Sequence, residues 1–191
     1  MSDLQIRPAS AETDTEMFIN VYELASHGLA PYLWQQNCPK DVGLSDYVFN
    51  RIKSRLETSE PGTNLTAIVD GQPIGGTMTY AIDGVPEDIP DGTDPNVVPL
   101  IELENEAPNT QYINVLAVMP EAQGRGVGKK LIEAIHPLRG ENGVSLIVED
   151  ANPAAQRLYE RLGFCVTATR KFTPVGWESN CREYRLMVKP N

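Results

Sequence analysis

The spacing of apolar residues along the first half of the chain predicts two helices followed by a hairpin. Helical spacing begins after Ser10 and ends at Gly28, and it begins again after Ser45, where each serine can cap a helix. Between these helices the stretch LAPYLWQQNCP breaks the pattern and predicts a loop or a short helix. The stretch NLTAIVDGQPIGGTMTYAI predicts two strands joined at Asp70-Gly71, a dipeptide that favours tight hairpin turns.

The second half alternates apolar strands with helices. QYINVLAVM predicts a strand, and a helix follows from Gly126 to His136. GVSLIVED predicts another strand, after which Asn152 can cap a helix that Gly163 ends. FCVTATRKF and CREYRLMVK predict the last two strands. Together with a first strand in LQIRPA, this order predicts a single mixed α/β domain over residues 1–191.

The segment 83–109 between the third and fourth strands is a long acidic insertion. Its five prolines argue against a long regular helix. Loops of this length inside compact domains are usually functional or disordered.

Charge and composition exclude several classes of protein. The net charge of −10 and the pI of about 4.7 argue against binding of nucleic acid or of an anionic membrane. The chain has neither a signal-peptide pattern at its start nor an apolar run of membrane-spanning length. Its three cysteines lack metal-ligand spacing, so we expect no metal and a reduced, cytoplasmic protein.

The octapeptide QGRGVGKK, residues 123–130, stands at a strand-to-helix junction. Glycines let backbone amides approach a ligand closely, and a helix N-terminus favours an anion. The spacing matches neither the P-loop, which needs GxxxxGK with Ser or Thr, nor the dinucleotide fingerprint GxGxxG. A phosphate site of another kind and a merely tight turn are the two interpretations that remain.

Two motifs resemble the signatures of the GNAT superfamily of acetyl-CoA-dependent N-acetyltransferases. QGRGVG fits the family pattern Q/R-x-x-G-x-G/A. The stretch from Asn152 to Phe164 fits N-x-x-A-x-x-x-Y-x-x-x-G-F, and the two motifs lie the expected distance apart. The resemblance implies a central mixed sheet of about six to seven strands, splayed at the cofactor site and flanked by about four helices.

The resemblance also implies where coenzyme A binds. Loop amides would hold the pyrophosphate, strand residues would pair with the pantetheine arm, and Asn152 would contact that arm or cap its helix. The implied cofactor-binding residues are Leu116, Ala117, Val118, Gln123, Gly124, Arg125, Gly126, Val127, Gly128, Lys129, Asn152 and Tyr159.

Acetyl transfer to an amine sets further chemical requirements. A lysine-like amine is only about one part in a thousand neutral near pH 7.4, a handicap of about 4 kcal/mol, so a base is useful. The strand before the glycine loop lacks the glutamate of some family members, so Glu104 or Glu106, or their neighbour Glu102, would act through water. Each of these acids has an alternative role in a solvated acidic loop. The N–H of Val118 would stabilise the developing oxyanion.

Tyr159 would protonate the leaving thiolate, as in the family, or would pack as a core aromatic residue. Tyr32, Trp34 and Trp177 would line the acceptor pocket, or would serve as core or surface residues. The chain from Leu56 to Gly124 contains no Lys or Arg, which favours a cationic acceptor.

Three functions remain open at this stage. They are acetylation of a small cationic amine, acetylation of a protein N-terminus or lysine, and acyl-CoA binding without catalysis. We expect a monomer or a homodimer that binds acetyl-CoA and an amine.

Overall fold

Seven strands form one mixed sheet in the computed structural model, which describes residues 4–191. The strands are β1 (Gln5–Pro8), β2 (Asn64–Val69), β3 (Gln72–Ala81), β4 (Gln111–Val118), β5 (Val144–Glu149), β6 (Cys165–Lys171) and β7 (Glu183–Lys189). The helices are α1 (Ala11–Ser26), α2 (Leu29–Asn37), α3 (Leu44–Thr58), α4 (Val98–Glu104), α5 (Val127–Ile135) and α6 (Pro153–Arg161).

The strands follow the order β1-β2-β3-β4-β5-β7-β6 across the sheet. β4 and β5 run parallel, and their register covers only Gln111–Ile113 against Val144–Leu146. β5 pairs with β7 antiparallel over its whole length. The early end of the β4–β5 register agrees with the expected splay, and an open sheet of seven strands confirms the predicted fold class.

The chain forms two compact units, which we describe separately. The first contains residues up to Thr79 and Val115–Ile135. Its core lies where α1, α2 and α3 pack, around the fully buried Phe18 and Val21. The buried carboxylate of Asp14 accepts hydrogen bonds from Arg7 at 2.6 and 2.8 Å and from the Thr66 hydroxyl at 2.9 Å.

The second unit contains Tyr80–Asn114 and His136–Asn191. In its core, Leu103 of α4 and Ala107 pack with residues of β7 and of the connection between β6 and β7; these are Phe172, Cys181, Tyr184 and Leu186. Part of the acidic insertion is therefore an ordered helix with a buried apolar side. It is neither wholly irregular nor merely a solvated loop.

Some details differ from the sequence prediction. The described residues contain six α-helices rather than about four. α1 ends at Ser26, because His27 (φ 47°) and Gly28 (φ 102°) are both left-handed and turn the chain directly into α2. α3 begins at Leu44 after Gly43, so Ser45 lies inside the helix and is not its cap.

Candidate functional site

The glycine loop adopts a backbone that only glycine enters without strain. Gly124 (φ 74°) and Gly126 (φ 79°) are left-handed, and a Cβ added to either would meet no atom within 4 Å. The space beside this backbone is therefore open. A ligand that approaches the amides closely fits this surface, which is what a coenzyme A pyrophosphate requires.

The loop leads directly into the N-terminus of α5. The first helical hydrogen bond joins the Lys130 amide to the Gly126 carbonyl at 3.1 Å. The amides of Val127, Gly128 and Lys129 precede that bond and lie at the positive end of the helix dipole. α5 itself is fixed by fully buried apolar residues such as Leu131. The result is a group of amide donors on a rigid support.

The charge around this loop is positive and exposed. Arg125, Lys129 and Lys130 are all exposed. The Lys129 ammonium lies 3.6 Å from the Glu133 carboxylate, but both side chains are more than half exposed, so this pair contributes little and leaves Lys129 available. The loop thus combines amide donors with cationic side chains in an otherwise acidic protein.

The end of β4 contacts the same loop. The side-chain amide of Gln123 donates to the Val118 carbonyl at 3.0 Å. Leu116 and Val118 are half-buried, whereas Ala117 is buried. The structure therefore brings the strand and loop residues implied by the resemblance together in the first unit.

Asn152 and Tyr159 lie on α6 in the second unit, and both have structural roles. The Asn152 side chain accepts from the Ala155 amide at 3.1 Å, which confirms the predicted cap. The buried Tyr159 ring meets the Phe164 ring edge-on, with centroids 5.8 Å apart. Gly163 (φ 92°) ends the helix as predicted. Burial raises the pKa of Tyr159 to about 12.

The three candidate acids of the insertion have different partners. Arg170 of β6 donates from Nε to Glu102 at 2.7 Å and from a second nitrogen to Glu106. Glu104 instead accepts a hydrogen bond of 2.7 Å from the hydroxyl of Tyr80. Glu102 and Glu106 therefore share one guanidinium, whereas a tyrosine hydroxyl contacts Glu104.

Two asparagine side chains fix the insertion. Asn96 is fully buried; its amide nitrogen donates to the Val175 carbonyl at 2.9 Å, and its oxygen accepts from the Val175 amide at 2.9 Å. Asn105 makes the same double contact with Glu87, at 2.8 and 2.9 Å. These contacts hold a segment rich in proline and acids in a defined conformation.

Of the three aromatic residues predicted for the acceptor pocket, two lie on α2 in the first unit and the third belongs to the second unit. Trp34 is buried in the core of the first unit, 6.2 Å from the Tyr22 ring, so its core interpretation is the one that the structure shows. Tyr32 is half-buried on α2. In the second unit, Trp177 packs against Phe172 with ring centroids 6.2 Å apart.

Sequence reasoning did not single out Tyr80, Arg170 or Asn96. Their partners lie 24, 68 and 79 residues away in the sequence, so no local pattern announces them. A tyrosine at the end of a strand, just before the acidic insertion, was the weak signal available for Tyr80.

Among residues 4–191, no helix has both the length and the apolar character that crossing a membrane requires. No group of three or more His, Cys, Asp or Glu side chains in this range is arranged to hold a metal ion.

Comparisons with known proteins show similarity to acetyltransferases. A model of the Acetyltransferase (GNAT) family matches residues 28–164. The mycothiol acetyltransferase of Salinispora arenicola is 44% identical over 62 residues, or 30% of this chain and 20% of that protein. N-alpha-acetyltransferase 30 of Schizosaccharomyces pombe is 42% identical over 57 residues, or 28% of this chain and 38% of that protein.

The chain thus spans only 20% and 38% of the length of these two curated relatives. A solved structure extends the likeness to the whole chain. A GNAT family acetyltransferase from Elizabethkingia anophelis with acetyl-CoA bound has a TM-score of 0.59 at 17% identity, with 100% of both chains covered. At that identity the likeness shows the fold.

Proposed function

The chain belongs to the GNAT acetyltransferase family, and on that premise we propose that it transfers the acetyl group of acetyl-CoA to a primary amine of a small cationic acceptor. The observation that carries this proposal is the glycine loop, with left-handed Gly124 and Gly126 and open space beside them at the start of α5. In the proposal, residues 1–191 act as one acetyltransferase domain that carries the insertion at 83–109.

The loop would hold the pyrophosphate of the cofactor. The amides of residues 124–129 donate to phosphate oxygens, and Arg125 and Lys129 add charge. Backbone groups of Leu116, Ala117 and Val118 pair with the pantetheine arm as an added strand would. Asn152 caps α6 with its oxygen, and its amide nitrogen is the group we assign to that arm.

Acetyl-CoA supplies the activated acetyl group, and we assign the handling of the thiolate to Tyr159. Its pKa of about 12 keeps it protonated at neutral pH, so it can donate a hydrogen bond throughout the reaction. Full proton transfer to a thiolate of ordinary pKa near 8.5 is uphill by about 5 kcal/mol. We therefore assign Tyr159 as a hydrogen-bond donor that stabilises the thiolate, with the proton coming finally from solvent.

Of the two candidate bases, we assign the role to Glu104. Glu106 is bonded to the Arg170 guanidinium, and Glu104 accepts a hydrogen bond from the hydroxyl of Tyr80, which orients its carboxylate. Glu104 would take the proton of the acceptor ammonium, directly or through one water.

The acidic insertion supports a cationic acceptor. Arg170 compensates part of the charge of Glu102 and Glu106, and the exposed acids of 83–95 add to the negative field. Such a field raises the local concentration of cations and speeds their capture. Polyamines and aminoglycoside-like amines have this chemistry.

A peptide acceptor is the second candidate. The name of the Schizosaccharomyces pombe relative describes an N-alpha-acetyltransferase, and a peptide α-amine needs less deprotonation because its pKa is about 7.7–8.0. An acyl-CoA-binding module without catalysis is the third.

Two further properties belong to this proposal. All three cysteines, Cys38, Cys165 and Cys181, are free thiols, which supports a reducing, cytoplasmic compartment. We propose a monomer or a homodimer.

A thiol-release assay tests the function. The purified chain and acetyl-CoA are mixed with spermidine, a basic peptide with a free N-terminus, or an aryl amine, and the free thiol is measured. Spermidine should give the highest kcat/KM, and that value should fall steeply with added salt. Release with the peptide alone would support the second candidate, and binding of acetyl-CoA without release would support the third.

A further inference from the structure

Gly75 and Gly76 are adjacent buried glycines in the interior of β3. A glycine weakens the interior of a strand, and it commonly marks a place where another backbone or a ligand comes close. Neither of the two has a left-handed backbone, so conformation alone does not call for glycine here. The reason lies instead in the space that a side chain would occupy.

The space beside Gly75 is filled by the end of β4. A Cβ added to Gly75 would lie 2.6 Å from the Ala117 carbonyl oxygen and 3.0 Å from the Val118 Cα. Both atoms belong to the backbone, so neither can rotate away as the end of a long side chain can. Such contacts become tolerable at about 3.0 Å and ordinary at about 3.4 Å, so an alanine would push β3 and β4 apart by roughly 0.4–0.8 Å.

Ile74, the residue before Gly75, is a bulge in β3. The register of β3 with β2 skips this residue. The Ile74 carbonyl accepts a hydrogen bond of 2.9 Å from the amide of Met119, which directly follows β4. Bulges redirect the groups of a strand and are common beside active sites. The bulge and the glycine together therefore fix where the end of β4 lies against β3.

Val118 is held by contacts on three sides, all within the first unit. Its Cα lies against Gly75, its carbonyl accepts from the Gln123 side chain at 3.0 Å, and the amide that follows it is bonded to Ile74. None of these three contacts uses the N–H of Val118. That N–H is the group that we expect to stabilise the oxyanion of acetyl transfer.

We propose that Gly75 is a positioning residue for acetyl transfer: because it has no side chain, β4 lies close enough to β3 for the Val118 N–H to reach the thioester oxygen of acetyl-CoA. This inference rests on the proposed function and deepens it, because it names the residue that sets the geometry of the oxyanion donor. Gly75 acts through Val118 and does not touch the reacting atoms.

The donor acts when the neutral amine adds to the thioester. The nitrogen lone pair forms the new C–N bond, and the π pair of the C=O bond moves to the oxygen, which accepts the hydrogen bond from Val118. The double bond then re-forms, the C–S bond breaks, and its electron pair leaves with the sulfur. The nitrogen loses one proton to solvent and the thiolate takes one from solvent, which balances the transfer.

Infrared difference spectroscopy of the complex with acetyl-CoA alone tests the donor without any acceptor. The cofactor carries carbon-13 at its carbonyl, so its band can be separated from those of the protein. A hydrogen bond to the thioester oxygen weakens the C=O bond and lowers its stretching frequency. The band should therefore lie at lower frequency in the parent than in Gly75→Ala, where the donor is displaced.

Gly76→Ala is the matched control. Its methyl group would meet the Phe18 ring at 2.8 Å and the Leu65 carbonyl at 3.0 Å, so its nearest contacts are with α1 and β2 and not with β4. Successive residues of a strand face opposite sides of the sheet, which is why the two glycines differ. Both variants should lower Tm, but only Gly75→Ala should shift the carbonyl band.

Kinetics supply the second measurement. Removal of an oxyanion donor costs about 100- to 1,000-fold in kcat, so its displacement in Gly75→Ala should cost about 10-fold or more. The loss should be the same for spermidine and for an aryl amine, with KM for the amine unchanged, because the donor acts on the acetyl group. Gly76→Ala should keep kcat within about threefold of the parent.

Equal losses of kcat in the two glycine variants, or a parental band and kcat in Gly75→Ala, would overturn the proposal. If Gly75→Ala does not fold, NMR of the parent decides: the Val118 amide proton should move downfield when acetyl-CoA replaces coenzyme A, and an unchanged resonance would overturn the proposal equally. A band shift in Gly75→Ala from a parent that releases no thiol with any amine would refute the proposed function and support this placement of the donor.

Discussion

Replacing Gly126 by aspartate distinguishes a phosphate-binding loop from a merely tight turn. The backbone strain of the substitution can be measured separately, because Gly71 has the same left-handed conformation. Gly71, at the tip of the β2–β3 hairpin, has a nearly identical backbone (φ 77°, against 79° for Gly126). A Cβ at either position meets no atom within 4 Å. Gly126→Asp and Gly71→Asp therefore add the same charge and the same left-handed strain, about 1 kcal/mol each.

The difference should appear only in binding of the cofactor. An aspartate carboxylate at about 5 Å from a phosphate oxygen costs about 1–3 kcal/mol for each phosphate charge. Displacing one amide from the phosphate costs a further 1.5–3 kcal/mol or so. The sum predicts that Gly126→Asp weakens binding of coenzyme A by at least about 100-fold.

Isothermal titration calorimetry with coenzyme A measures this directly. Thermal unfolding of both variants should show similar losses of about 2–4 °C in Tm, as expected for about 1 kcal/mol in a chain of this size. Gly71→Asp should bind coenzyme A as the parent does. If the two variants bind with dissociation constants within about threefold of each other, the loop is only a tight turn and the pyrophosphate site lies elsewhere.

Three further changes test other parts of the molecule. Tyr159→Phe should lower kcat by about 10-fold or more while leaving the Kd of acetyl-CoA nearly unchanged, since the ring still packs on Phe164; a parental kcat would remove Tyr159 from the chemistry. Because burial raises the pKa of Tyr159 to about 12, its stabilising contribution is present below pH 10 and is lost as the pH rises through 12. Urea unfolding between pH 9 and 11.5 should therefore show a steeper loss of unfolding free energy in the parent than in Tyr159→Phe, by about 2 kcal/mol, and equal slopes would contradict the burial argument. Asp14→Ala should destabilise the first unit by about 2–4 kcal/mol in urea unfolding, because it leaves the buried Thr66 hydroxyl and Arg7 without their carboxylate partner, and a loss below about 0.5 kcal/mol would be inconsistent with that network.

The features that the sequence predicted correctly are those fixed by near neighbours. Asn152 caps α6 through an amide three residues away, and Gly163 ends the same helix in a left-handed conformation. Asp70 and Gly71 turn the hairpin because both adopt positive φ there. Such local chemistry is visible in a short window of sequence.

The features that could not be predicted from the sequence depend on contacts between residues far apart along the chain. α4 is only seven residues long and lies among prolines, so its own propensity is weak, and burial of Leu103 against β6 and β7 stabilises it. Glu104 and Glu106 looked alike in the sequence, but the structure gives them different partners: Tyr80, 24 residues before Glu104, and Arg170, 64 residues after Glu106. Trp34 was equally ambiguous until its contact with the core of the first unit was known.

The double contact between Asn96 and Val175 has a consequence for which amino acids related sequences can carry at these two positions. Val175 takes part in this contact with its backbone alone, so any residue except proline can replace Val175 without losing the contact. Asn96 has no such freedom, because aspartate lacks the donor and glutamine is one carbon longer. Related sequences should therefore keep the asparagine while position 175 drifts. A search for pairs of positions that change together would not find this contact, although it fixes the insertion to the β6–β7 connection.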